Sequence, residues 1–139
     1  MPITLTLTEG VLPQARVKEA VALITASFLR HHGLAGHGLM TPNVTTHVNI
    51  LPQGATFAGG EEVEGAWVET KTPSFALADR AVQAAFFGEA TQILHDLSGG
   101  RLPKERVWSN GVHAVDGTWN LGGKAMTNAE IGAALSGAG

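Results

Sequence analysis

The second half of this sequence repeats the order of the first half, and that repeat restricts the possible folds more than any other feature. Segment 118–123 (TWNLGG) resembles segment 56–60 (TFAGG) and begins 62 residues after it. Two asparagines in predicted strands, Asn49 and Asn110, lie 61 residues apart. A nearly constant offset of this kind indicates an internal repeat. The chain therefore contains two copies of one structural unit.

The first copy has the pattern of a β-α-β unit. Apolar residues alternate with threonine over residues 3–8, which predicts a strand with one apolar face. Pro13 stands at the start of a segment with apolar residues at helical spacing, which predicts a helix ending near Gly33. Residues 45–51 (TTHVNIL) then form the second predicted strand.

The second copy runs in the same order. Residues 67–71 (WVETK) predict the third strand. Thr72 can cap a helix and Pro73 can occupy its first turn, and we expect that helix to end at Gly99. The fourth predicted strand covers residues 106–112.

Together the two copies predict an α/β chain of the α+β two-layer sandwich type. We expect one domain, 1–139, built of pseudo-repeats 1–64 and 65–139. A four-stranded mixed sheet carries two helices on one face, and its other face is left bare. A chain of this length can bury about two-thirds of its surface in one core.

Composition excludes several classes of function. Only 15% of the residues are charged, against about 25% in an ordinary domain. The net charge is −3 and the nine Lys and Arg residues are scattered, which argues against a nucleic-acid partner. The absence of cysteine excludes disulfides and thiolate chemistry. No apolar run or basic leader suggests a membrane or secreted protein, so we expect a cytoplasmic location.

The strand beginning at Pro2, the repeated unit and the closing segments 107–110 (VWSN) and 116–119 (DGTW) together resemble the tautomerase superfamily. Residues 110–119 are similar to the tail of malonate semialdehyde decarboxylase, and 56–60 to a segment of macrophage migration inhibitory factor. The resemblance implies removal of Met1, catalysis by the proline that becomes the amino terminus, a homotrimer of fused chains and no cofactor.

Two departures from the superfamily pattern concern its arginines. The arginine that follows Glu-Gly in 4-oxalocrotonate tautomerase is Val11 here. The arginine pair of the dehalogenases and decarboxylases corresponds to Lys71, Thr72 and Pro73, of which only the lysine is charged. A dicarboxylate substrate is therefore disfavoured.

Pro2 is the candidate catalytic residue. Once exposed, it is a secondary amine, and an α-amino group titrates near roughly 8. Apolar surroundings and a nearby cation both lower such a pKa, which makes a neutral proline a general base. The alternative is an ordinary proline at the start of a strand.

Lys71 is the candidate group for binding a substrate carboxylate. It follows the third strand, and the resemblance places that end beside the first strand's start, where its charge would lower the pKa of Pro2. The alternatives are a solvated lysine or one paired with Glu69, which lies on the same strand face.

The resemblance implies that three further residues line the substrate pocket. Trp108 and Asn110 share one strand face, and Asn110 would donate a hydrogen bond to a carbonyl, partly across a subunit boundary. Trp119 would form a hydrophobic wall that excludes water near the proline. The alternative for both tryptophans is a structural role, which for Trp108 means packing at the trimer interface.

His113 is a weaker candidate that could polarise a carbonyl from the turn after the fourth strand. Asp116 and Gly117 in the same segment are a common turn pair, which favours a turn without a chemical role. No metal site is expected, because the other histidines lack the spacing of a ligand set. The histidines considered as such a set are His31, His32, His37 and His47.

The sequence thus predicts a tautomerase that isomerises a small α-keto acid or aryl-pyruvate-like compound, with Pro2 as general base. Two alternatives remain open. One is a hydratase-type dehalogenase or decarboxylase that uses a protonated proline. The other is a trimeric binding protein without catalytic activity.

Overall fold

The computed structural model describes residues 1–138. It contains eight strands and three α-helices within those residues, together with single 3-10 turns at Thr41–Asn43 and Lys104–Arg106. The strands are β1 (Pro2–Thr8), β2 (Thr45–Leu51), β3 (Phe57–Ala58), β4 (Glu61–Glu62), β5 (Ala66–Pro73), β6 (Val107–Ala114), β7 (Trp119–Leu121) and β8 (Lys124–Met126). The helices are α1 (Gln14–His31), α2 (Arg80–Leu97) and α3 (Asn128–Ala138).

The main sheet has the strand order β2-β1-β5-β6. The pairs β1–β2 and β5–β6 are parallel, as a β-α-β unit requires, and the two units join through the antiparallel pair β1–β5. In that central pair Ile3 lies opposite Thr70 and Leu7 opposite Ala66. The predicted four-stranded mixed sheet is confirmed.

The core lies between this sheet and the helices. Ile3, Leu5 and Leu7 alternate with threonines on β1 and are almost completely buried. Phe28 of α1 and Phe86 of α2 meet edge to face with their ring centroids 5.3 Å apart, so both helices cover the same side of the sheet. Each fully buried side chain of this size contributes about 1.5–3 kcal/mol.

The predicted start of the second helix is wrong. β5 continues to Pro73, which pairs with Ala114 of β6, and α2 begins only at Arg80. Asp79 is the actual cap, because its carboxylate accepts a hydrogen bond from the amide of Ala81 at 2.8 Å. Thr72 instead donates its hydroxyl to the carbonyl of Ala76 within the intervening turn.

The carboxyl-terminal helix α3 is a feature that the sequence analysis did not describe. Its Ile131 is buried, and its Leu135 packs against the main core. The carbonyl of Leu135 accepts a hydrogen bond from Nε2 of His37 at 2.9 Å, while Nδ1 of that ring accepts from the amides of Leu39 and Met40. His37 therefore ties the segment after α1 to α3.

The two large helices are also linked at their exposed surface. Glu89 of α2 accepts hydrogen bonds from Arg30 and from His31 of α1. Hydrogen bonding to Arg30 and then to His31 lowers the pKa of the Glu89 carboxyl to about 2. None of the helices in residues 1–138 is long and apolar enough to cross a membrane.

Gly65 and Gly88 provide a matched test of this packing. A Cβ at Gly65 would lie 2.6 Å from the ring of Trp108 and 3.1 Å from the carbonyl oxygen of Arg106, whereas a Cβ at Gly88 meets nothing within 4 Å. We expect Gly65→Ala to lower the free energy of unfolding by about 1–3 kcal/mol. Gly88→Ala should raise it by about 0.5–1 kcal/mol, because alanine favours a helix. Urea denaturation measures both, and an unaffected Gly65→Ala variant would contradict the packing described.

Candidate active site

A shallow pocket opens on the sheet face that the helices leave uncovered. It spans about 440 Å³ and lies across β1, β5 and β6. We call it the open-face pocket, and its lining residues are Thr4, Glu69, Thr70, Lys71, Asn110 and Val112. Two of the candidates from the sequence, Lys71 and Asn110, are therefore brought together here.

Pro2 does not line the open-face pocket, but strand pairing sets it next to a residue that does. The antiparallel register sets Thr4 opposite Glu69 and Ile3 opposite Thr70, so Pro2 comes next to Lys71. Since side chains alternate along a strand, Pro2 faces the same side of the sheet as Thr4. The proline is half-buried and the lysine is exposed. Residues 69 positions apart in the sequence thus become neighbours through strand pairing.

Glu69 interacts with Asn110 rather than with the lysine. The Asn110 amide donates to Oε1 of Glu69 at 3.2 Å, and the two residues are direct partners across the β5–β6 ladder. Lys71 takes part in no ion pair within the portion of the chain that the structure describes. Its ammonium group is consequently available to an anion in the pocket.

Met1 precedes Pro2 at this end of β1, and its side chain faces the helix-covered side of the sheet together with Ile3. Its side chain is 4% exposed and belongs to the main core. Its amino group donates to the carbonyl of Asn43, and its own carbonyl accepts from the amide of Thr45 at 3.2 Å. Burial lowers the pKa of this amino group from 8.0 to about 6. An amine at this end of β1 is therefore in surroundings that disfavour its charge.

Trp108 lies on the helix-free face but at the other end of the strand from Pro2. Its ring stacks on Trp67 with centroids 4.9 Å apart and covers Gly65. Trp108 pairs with Trp67, four residues before Lys71 along β5. Within one chain it packs against its neighbours and does not reach the proline.

His113 and Trp119 are not at the open-face pocket either. β6 extends to Ala114, so His113 lies in the strand rather than in the predicted turn. Its Nε2 is 2.8 Å from the carbonyl oxygen of Ala76, on the helix-covered side. Trp119 is in β7, where it pairs with Met126 and packs against the core.

Around His113 is a second, smaller cavity of about 220 Å³ on the helix-covered side. Arg80 and Gln83 at the start of α2 line it, and Gln83 donates to the carbonyl of Leu77, whose φ is +54°. The sequence analysis missed this cavity, because it placed these residues inside a longer helix. Across residues 1–138, no three His, Asp or Glu side chains gather as a metal-binding group.

Solved structures share this fold although their sequences differ. No protein-family model matches the chain, and no curated protein is similar to it in sequence. A fused 4-OT protein solved as a symmetric trimer is 11% identical, with a TM-score of 0.75 over 95% of this chain and 99% of that one. A member of the cis-3-chloroacrylic acid dehalogenase family is 17% identical, with a TM-score of 0.73 over 99% of both chains. Macrophage migration inhibitory factor from Toxoplasma gondii is 10% identical, with a TM-score of 0.70 over 91% of this chain and 100% of that one.

The buried amine of Met1 makes the stability of the unprocessed chain depend on pH. The folded pKa, about 6, lies below the ordinary 8.0, so folding favours the neutral amine. The stability that this group contributes is therefore complete above pH 8 and is lost as the pH falls through 6. We expect the free energy of unfolding to decrease by on the order of 1 kcal/mol. The decrease is small because the amine is partly exposed and solvent screens its charge. Urea denaturation at several pH values measures it, and a chain with an acetylated Met1 should lack this component.

Proposed function

We propose that this chain, whose fold is that of the tautomerase superfamily, is an enzyme in which Pro2 becomes the amino terminus and acts as a general base. The register of β1 and β5, which sets Pro2 beside Lys71 of the open-face pocket, is the observation that carries the proposal. The reaction would be keto–enol isomerisation of a small α-keto acid or an aryl-pyruvate-like compound.

The surroundings favour a neutral proline. Burial already lowers the pKa of the Met1 amine at this end of the strand. The Lys71 ammonium next to Pro2 adds a like charge that opposes protonation. We therefore expect the pKa of the Pro2 amine to lie below its ordinary value, which leaves its lone pair available near neutral pH.

The proton steps follow from that lone pair. Pro2 takes the proton of the enol hydroxyl, and the O–H electrons form the carbonyl. The C=C electrons then take that proton from the protonated Pro2 at carbon, which restores the neutral amine. In the reverse direction Pro2 removes the proton from the carbon next to the carbonyl. Lys71 would hold the substrate carboxylate, and the Asn110 amide would donate to an oxygen of the substrate.

A homotrimer belongs to the same proposal. One fold neighbour is a symmetric trimer, and one chain alone leaves Trp108, Trp119 and His113 away from Pro2. In a trimer the Trp108 and Asn110 of an adjacent subunit would complete the pocket wall. Trp119, which packs against the core of its own chain, and His113 would have structural roles.

Dehalogenase or decarboxylase chemistry is the second candidate, because one fold neighbour belongs to a dehalogenase family. That chemistry would use a protonated Pro2. The lysine beside the proline disfavours protonation, so the isomerase is preferred. A titration of the Pro2 amine by NMR separates the two, since a pKa well above neutral would favour the second candidate.

Replacing Pro2 tests the base directly. Pro2→Ala keeps a small second residue, so Met1 is still removed, and intact mass confirms this. We expect kcat/KM for phenylpyruvate to fall at least 100-fold, the usual contribution of a general base. Unchanged turnover by Pro2→Ala would exclude this role. A wild-type chain that binds phenylpyruvate without turning it over would instead support the non-catalytic alternative.

Lys71 should affect both substrate binding and the pH profile. With a neutral base, kcat/KM rises with pH through the pKa of Pro2 and levels off above it. Lys71→Ala removes the adjacent cation, so the rise should move to higher pH and KM should increase about tenfold. Lys18→Ala, an exposed change on α1, is the matched control and should leave the profile unaltered. An unshifted profile in Lys71→Ala would contradict the proposed role.

A further inference from the structure

Met1 occupies an unusual position for an amino-terminal residue. Termini are commonly exposed, yet the side chain of Met1 is 4% exposed and forms part of the main core. Its carbonyl carbon is bonded to the Pro2 nitrogen. When Met1 is removed, the space that it filled opens directly at the amine that the proposed function uses.

Two backbone groups lose their partners in the same step. The amide of Thr45 donates to the Met1 carbonyl at 3.2 Å, and the carbonyl of Asn43 accepts from the Met1 amino group. Backbone polar groups away from water need a partner. In the processed chain, the Thr45 N–H has lost its acceptor. It points to the position that the Met1 carbonyl oxygen occupied, and only the carbonyl carbon separated that oxygen from the Pro2 nitrogen.

The segment that binds the backbone of Met1 contributes apolar side chains to the same core. Met40 and Val44 flank Asn43 in sequence, are buried, and belong to the same core as Met1. The segment from Gly38 to Thr46 contains no charged residue. We call the space left by Met1, together with the Thr45 N–H and the Asn43 carbonyl, the Met1 seat.

We infer that the Met1 seat is the side-chain pocket for the substrate. It would take a monocarboxylic 2-oxo acid with an unbranched apolar side chain, because a methionine side chain has that shape. The carbonyl oxygen of the substrate accepts from the Thr45 N–H, and its carboxylate stays outside the seat, at the end of β1 that Lys71 also borders. A second carboxylate at the far end of the substrate would enter an apolar space, where an unpaired charge is unfavourable. This inference rests on the proposed function for the role of Pro2.

Two ligands of equal chain length test the inference by binding alone. These ligands are 2-oxohexanoate and 2-oxohexanedioate, which differ only in a terminal carboxylate. Calorimetry on the processed chain should show that 2-oxohexanoate binds at least tenfold more tightly. A chain that keeps Met1, checked by intact mass, should lose at least tenfold of that affinity. Tighter binding of the dicarboxylate, or equal binding to both chain forms, would overturn the inference.

The Thr45 N–H can be removed without changing the side-chain pocket. Thr45 is the first residue of β2, where proline is tolerated, and Val44 before it already has the extended backbone that proline favours (φ −94°, ψ 98°). Thr45→Pro should bind 2-oxohexanoate about tenfold more weakly, whereas Thr45→Ala keeps the N–H and should bind normally. Equal binding by the two variants would show that another group donates the hydrogen bond to the substrate carbonyl.

The binding tests distinguish this inference from the proposed function. If the processed chain binds as expected but turns over no keto acid, the Met1 seat stands and the isomerase proposal fails. If Pro2-dependent turnover is found but the dicarboxylate binds more tightly, the isomerase stands and the Met1 seat fails. The ligand pair requires no variant, so it remains decisive if Thr45→Pro does not fold.

Discussion

The antiparallel pairing of β1 with β5 is the contact on which the rest of the structure depends. It joins two β-α-β units that are each parallel inside, and it aligns Leu5 with Val68 at the centre of the core. A shift of one residue would turn the apolar side chains of β1 toward the open face. The same register places Pro2 beside Lys71, so core packing and the candidate site depend on one alignment.

The low charge content of the chain has a structural counterpart on the helix-free face. On this face Trp67 and Trp108 stack on each other, and Val112 is 53% exposed. The carboxylate of Glu69 accepts a hydrogen bond from the side-chain amide of Asn110. A face of this composition is suited to partial covering by further protein. A trimer assembled through these faces would hide the surface that a monomer would have to keep polar, and it would bring distant candidates such as Trp108 to a neighbouring site.

The segment between α1 and β2 holds the amino-terminal residue in place. In the unprocessed chain its backbone binds Met1 through Asn43 and Thr45, while His37 links it to α3. Several hydrogen bonds within and around the segment are independent of Met1, including that from the Asn43 side chain to the carbonyl of Leu39. A segment supported in this way can keep its shape when the terminal residue leaves. Preorganisation of this kind would reduce the cost of binding a ligand in the proposed Met1 seat.

The sequence by itself determined the repeat, the strand alternation and the two-layer arrangement, because these are recorded in local periodicity. The sequence misplaced the start of α2, because Thr72 and Pro73 form an acceptable helix start. Only the pairing of Pro73 with Ala114 decides that the strand continues instead. The resemblance indicated that Pro2 and Lys71 belong to one site, while their adjacency follows from the β1–β5 register. Which face His113 occupies and where Met1 is buried were decided by tertiary structure alone. Both depend on contacts between residues far apart in the chain, and local patterns carry no information on such contacts.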